Sequence, residues 1–372
     1  MALTNFAALT DEQLTMWSRE TWMDARNKQF LNQFMGTGEG SMVQRITELT
    51  KSKKGARAVI TLIQDLEGDG VAGDRTLEGN EEALQSDDVV IQIDQLRHAN
   101  RHKGRMADQR SVVTFRENSR DKLSYWLADR MDQMGFLTLS GISYAYHNNG
   151  VLRVGSDLQN LDFAADVTAP TAGRHFRWDN GTGALATGDT AAVDPADKAS
   201  WKMLVQVKAE AEERYVKPIR MKNGVSFYNI FMTPTAMADL KQDPDFLANI
   251  RNSMPRSDAN PLFKGAETFY VDGMAIHSYR HVYNTRGATA PNKWGGAGDV
   301  DGCRILVCGA QALGFADIGD AEWVEKGFDY ENQQGISYGK ICGMLKPKFH
   351  SIHENSEEDF GVIALDVAQT SN

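Results

Sequence analysis

GARAVITLIQDLEGDGVAGDRTLEGNEEAL occupies residues 55–84. It starts as a strand: from Arg57 to Ile63, Val59, Thr61 and Ile63 fall on one side, and Ala58, Ile60 and Leu62 on the other. A second strand pattern follows in DDVVIQIDQL, Asp87 to Leu96, with Val89, Ile91 and Ile93 on the face opposite Gln92 and Asp94. The two runs read as a hairpin with a very long tip. Inside the tip, Gly68 to Gly73 spells the G-x-G-x-x-G of a dinucleotide-binding turn, and Asp65 to Gly70 nearly spells the start of a calcium loop.

Neither motif meets its own requirements. A dinucleotide turn must open a helix whose N-terminus faces pyrophosphate, but DRTLEGNEEALQSD carries Gly79-Asn80 in its middle and no sustained apolar period. From Asp65 to Asp88 there are nine acids against one base, Arg75, which repels an anion. Counted from Asp65, the twelfth loop position is Thr76, where calcium needs a bidentate Glu, and the flanks are strands instead of helices. What remains is a solvated acidic tip, at most an adventitious divalent-cation site. Its acids Asp69, Asp74, Glu78, Glu81 and Glu82 are the first candidates for contact with another molecule.

The whole chain narrows the function classes. Its 372 residues carry a formal charge of −10, which disfavours a broad phosphate-gripping face. Cys303, Cys308 and Cys342 form no C-x-x-C pair and read as buried, reduced thiols. The first basic residue is Arg19, so no cleaved signal is expected, and no run of 18 apolar residues suggests a membrane span. His98/His102, His277/His281 and His350/His353 are spaced three or four apart without a metal-binding motif. G-x-S-x-G and the phosphate-loop motif are both missing, and no catalytic set stands out. We therefore expect neither an enzyme nor a bound cofactor.

Around the hairpin the chain reads as follows. Thr10 to Gln13 forms a capping box ahead of a loose stripe through Leu14, Trp17, Trp22, Phe30 and Phe34. Gly36 to Lys54 is Gly-rich, then basic, with no core pattern, so the N-terminus looks like an arm needing another surface. From Arg110 to Ser140, Phe115, Leu123, Trp126, Leu127, Met131, Met134 and Leu137 recur at helical spacing. Roughly 30 residues would make a rod of about 45 Å, a spine. Beyond Gly141 the pattern is mixed α/β. Helices are expected from Asp194-Pro195 to Lys217, after Thr233-Pro234 and after Asp243-Pro244. Strands are expected in FYNIFM (Phe227 to Met232), on both sides of Asp272-Gly273, and in RILVC (Arg304 to Cys308), YGKICGMLK (Tyr338 to Lys346) and FGVIALDVA (Phe360 to Ala368).

This order of parts resembles the major capsid proteins of tailed bacteriophages, with their α+β HK97-like fold, and most closely the group typified by coliphage N4. The resemblance is carried by residues 55–84, by IDQLRHANRHKGRMADQRSVVTFRENSRDKLSYWLADRMDQMGFLTLSG (93–141) and by FMTPTAMADLKQD (231–243), in an order spanning nearly the whole chain. It implies an N-terminal arm over 1–54, an extended E-loop over 55–109, a P-domain spine helix over 110–145, an A-domain over 146–329, and strands over 330–372 returning to the P-domain. It also implies hexamers and pentamers of the chain itself around double-stranded DNA held without sequence recognition. The partners would be a portal, a separate scaffolding protein and, in some cases, decoration or cement protein, with assembly in the bacterial cytoplasm.

Charge adds one expectation. Between residues 97 and 110, Arg97, Arg101, Lys103, Arg105 and Arg110 face only Asp108, directly after the acidic tip. Acidic tips docking on the basic stretch of a neighbour would fix register. Trp17 and Trp22 on the arm are further candidate contacts between subunits. The competing readings are a nanocompartment shell of the same fold and a metal- or nucleotide-dependent soluble enzyme.

Overall fold

A computed structural model describes residues 21, 23–25, 28–47, 57–63, 68–82, 86–109, 115–220, 226–253, 268–351 and 356–371. The spine helix runs over Phe115–Ser140, 26 residues, or about 39 Å. Its start lies inside the expected 110–140 span, after a separate short helix at Arg105–Gln109. Toward the N-terminus it buries one face, including Leu123, Leu127 and Ala128; from Met131 to Ser140 every residue is buried. The helix stops in a Schellman turn: Ile142 N–H donates to Leu137 O and Gly141 N–H to Thr138 O. Gly141 has φ +66, and a Cβ there would meet Thr168 O at 2.4 Å, so only glycine suits the position.

Two sheets flank this spine. The long strand Gln333–Leu345 is the trunk of the first. It pairs antiparallel with Leu313–Asp317 and Glu322–Phe328, and on its other edge with Asp94–Arg101. The second sheet has the order Thr268–Val271, Met274–Ser278, Ser226–Met232, Gly302–Cys308, Val362–Ala368, His175–Asp179 and Ala184–Thr187, with Ile219–Arg220 pairing onto Ser226–Met232. The expected hairpin forms, Arg57–Ile63 against Ser86–Gln92 with Ile63 opposite Ser86 at the base of the tip, but its second strand, expected over Asp87 to Leu96, stops at Gln92, and Asp94–Arg101 pairs with Gln333–Leu345 instead.

Two expectations need correction. Residues 29–46 are not waiting for a foreign surface. Leu31, Met42 and Val43 are in this subunit's core, and Val43–Ile46 adds a parallel strand to Leu313–Asp317. The buried Asp132 carboxylate accepts the backbone N–H groups of Phe30 (2.8 Å) and Leu31 (3.0 Å) and the Tyr279 hydroxyl. Gly135 leaves room for Leu31, since a Cβ there would lie 2.3 Å from its side chain. Second, the helix expected from Asp194 starts at Trp201, with Ser200 as its cap. Asp197 instead accepts from the Asp194 and Asn180 N–H groups, and Lys198 forms a bridge to Ala368, which holds this segment extended. The first sheet also takes in Leu313–Asp317 and Glu322–Phe328, upstream of residue 330. Val362–Ala368 lies in the second sheet. All seven of its residues are buried, which its two flanking strands there satisfy.

Charges inside the core come paired. Lys340 Nζ lies 2.6 Å from Asp317, both almost fully buried, and Arg45 Nε donates to the same carboxylate at 2.7 Å, fastening the arm strand. Burial opposes ionisation of Asp317, but Lys340 and Arg45 outweigh it and hold its carboxyl below the usual range. Among the described residues His277 has no such partner: it stacks on Phe231 at 5.3 Å and meets Thr268 and Asn229 through polar atoms.

Burial pulls His277 from 6.5 to about 4. Between those values the unfolded chain takes up a proton that the folded chain refuses, so its contribution is full above pH 6.5 and lost as pH falls toward 4. Denaturant unfolding at pH 7 and 4.5 should show an acid loss of about 2–3 kcal/mol that His277→Gln removes; an equal pH dependence in both proteins would refute this assignment.

Candidate assembly surfaces

The tip is built to stand away from the subunit. Within 68–82 every residue except Val71 is exposed. Gly70, Gly73 and Gly79 take positive φ with open space around them, which allows sharp turns without a helix. Glu82 accepts the Gly68 N–H across the two limbs at 2.7 Å, and Glu81 accepts the Gly79 N–H at 2.7 Å. Asp69, Asp74 and Glu78 face solvent, and Leu77 is 60% exposed. The acids of the tip thus form an anionic surface with the exposed Leu77 side chain among them.

The basic stretch after the hairpin divides in two. On Asp94–Arg101 the even positions turn to the spine helix: His98 lies against Trp126 at 4.8 Å, and the Asn100 amide donates to Ser119. Arg97 and Arg101 are exposed, and Arg101 sits 4.8 Å over the Phe328 ring. Arg105 is exposed at the start of its short helix, its N–H donating to Asn332. Trp17, Trp22 and Arg110 lie outside the described residues.

Sequence reading missed a cleft beside this strand. It measures about 590 Å³ and is lined by Arg97, His98, Trp126, Arg130, His147 and Arg153, among others. Arg130 and Arg153 each donate to the single amide oxygen of Gln133, at 2.8 Å. Arg130 follows Trp126 by four and so shares its helix face; nothing in the sequence marked Arg153.

The histidines that suggested metal spacing have separate structural partners. His281 Nε2 lies 2.8 Å from Asp129 and His102 accepts the Gln334 N–H; His175, outside those pairs, has its Nε2 2.7 Å from Asp366. Among the described residues no cluster of His, Cys, Asp or Glu is arranged to hold a metal ion. All three cysteines are buried, and burial pushes Cys303 up to about 11 and Cys342 up to about 12, far from a reactive thiolate.

The model of the family described as phage capsid protein matches residues 5–371. The chain belongs to that family. The major capsid protein of Pseudomonas phage KPP25 is 58% identical over 367 residues, covering 98% of this chain and 97% of that relative. The capsid of Ralstonia phage GP4 superposes with a TM-score of 0.76 at 23% identity, over 100% of this chain and 96% of that one. The Cyanophage Pam1 capsid subunit gives 0.71 at 18% identity over the full length of both. The fold is HK97-like, as the resemblance implied, and the protein is a phage major capsid protein that forms the shell. The exposed tip and the charged surfaces around the spine are therefore surfaces of a subunit made to be surrounded by copies.

Proposed function

We propose that this protein is the repeating subunit of hexamers and pentamers in the icosahedral head of a tailed phage of the N4-like group. It encloses double-stranded DNA without reading sequence and has no catalytic role. Assembly takes place in the bacterial cytoplasm with a portal and a separate scaffolding protein. In this reading 55–109 is the E-loop, anchored by the edge strand Asp94–Arg101. The P-domain is the spine helix with the first sheet, and the A-domain is centred on the second.

One observation carries the assembly role: an acidic, almost wholly exposed tip belongs to a subunit whose own exposed bases, Arg97 and Arg101 on a sheet edge and Arg105 on the short helix after it, lie close together in the chain. Tip acids Asp69, Asp74, Glu78, Glu81 and Glu82 dock on that basic stretch of a neighbour, giving register more than raw affinity. Arg101→Glu/Arg105→Glu should lower shell yield about tenfold, with partial recovery on adding Asp74→Lys/Glu78→Lys. Electron microscopy of the assembly mixtures counts the shells. Normal assembly of the arginine variant across several salt concentrations would sink the docking idea.

A further inference from the structure

The cleft beside the edge strand carries more positive charge than its surroundings neutralise. Arg97, Arg130 and Arg153 line it with a single acid, Asp157. Arg130 and Arg153 share one neutral acceptor, the Gln133 oxygen, and Arg153 also donates to Tyr146 O. Asp129 offers Arg130 a 3.4 Å contact but is already engaged by His281 at 2.8 Å and Arg280 at 3.1 Å. A guanidinium has five N–H donors, so both arginines have donors left for a carboxylate. Burial, then Arg130, pulls Arg153 down to about 10; burial, Arg153 and Arg130 also lower His147. Both shifts reflect burial first and the neighbouring arginines second.

The lip of the cleft is apolar. Val154, which lines it, is 94% exposed. A ligand for this site must be anionic, narrow enough for a cleft between a helix and a strand edge, and partly apolar. The tip has those properties: residues 68–82 hold five acids against one base, with Leu77 exposed among them.

We propose that the cleft between the spine helix, the edge strand and residues 147–161 receives the acidic tip, residues 68–82, of a second copy of this chain. Its carboxylates pair with Arg130 and Arg153, and Leu77 covers Val154. The proposal rests on the reading that tips reach neighbouring subunits and names where they end. Arg101 and Arg105 then form the approach, and Arg97, Arg130 and Arg153 the seat.

Disulfide trapping in DNA-free shells of the full chain tests this, because the three native cysteines are buried. Shells carrying Leu77→Cys and Val154→Cys should give, on mild oxidation, a ladder of disulfide-linked chains in a non-reducing gel. The same variant kept as unassembled subunits should give none. Leu77→Cys with Tyr330→Cys probes the Phe328 side, where Arg101 sits and Tyr330 is fully exposed. Linking there but not at Val154 overturns the seat while leaving tip docking intact; linking at neither site overturns both. Protection of the Val154→Cys thiol by added duplex DNA, with no tip link, assigns the cleft to phosphate and also refutes the proposal. A charge test runs beside it: Arg130→Glu/Arg153→Glu should cut shell yield about tenfold, with recovery on adding Glu78→Arg/Glu81→Arg. Subunits that melt like the parent yet are not rescued would count against it.

Discussion

Arg304→Ala should cost the subunit about 3–5 kcal/mol. Arg304 grips both oxygens of Asp366, at 2.7 and 2.9 Å, and donates to Ser140 O, the last residue of the spine helix, at 2.9 Å. One guanidinium therefore ties the end of the spine to two central strands of the second sheet. Asp366 is fully buried, and burial disfavours its charge. Arg304 and His175 outweigh that burial and keep its carboxyl below the usual range. Removing the arginine leaves a buried carboxylate with only His175 beside it. Arg304→Lys keeps the charge but loses the two-pronged grip, so it should fall between alanine and the parent. The double change Arg304→Met/Asp366→Leu should recover most of the loss, because two apolar groups of similar volume leave no stranded charge. Denaturant midpoints of the four proteins decide it; a loss under about 1 kcal/mol for Arg304→Ala would show the network to be incidental.

Excising residues 68–82 and closing the hairpin with a short Gly-Ser turn should have the opposite profile. The tip is exposed, so the subunit should unfold within about 0.5 kcal/mol of the parent. Shell formation should nevertheless drop by at least about tenfold, since each of many subunits loses a docking contact worth on the order of 1 kcal/mol or more. Light scattering of assembling protein, with microscopy of the endpoint, measures it. Shells of normal number and size from the excised chain would remove the tip from assembly altogether.

The hairpin was legible because alternation is local: Val89, Ile91 and Ile93 needed no distant partner to reveal a strand. Gly141 was legible for a similar reason, ending a long periodic run just where the Schellman turn requires a positive φ. The arm was misread because Leu31, Met42 and Val43 are scattered among glycines, and their reason for burial, Leu313–Asp317, lies some 270 residues away. The destination of Val362–Ala368 was hidden likewise: an all-buried strand looks the same in either sheet. Tip acids and strand arginines could be nominated from charge alone. The cleft could not, since Arg130 and Arg153 meet only through folding, at one oxygen of Gln133.

The edge strand Asp94–Arg101 also has a mechanical meaning. It follows the hairpin directly, and its eight residues pair with Gly335–Cys342. A pull on the tip is delivered along this strand, across the direction of its ladder bonds, so the rungs share the load and yield together. The hairpin above it, pulled apart at its ends, would open one rung at a time. Tension on the tip therefore meets all eight paired residues at once before the strand loses register at its base.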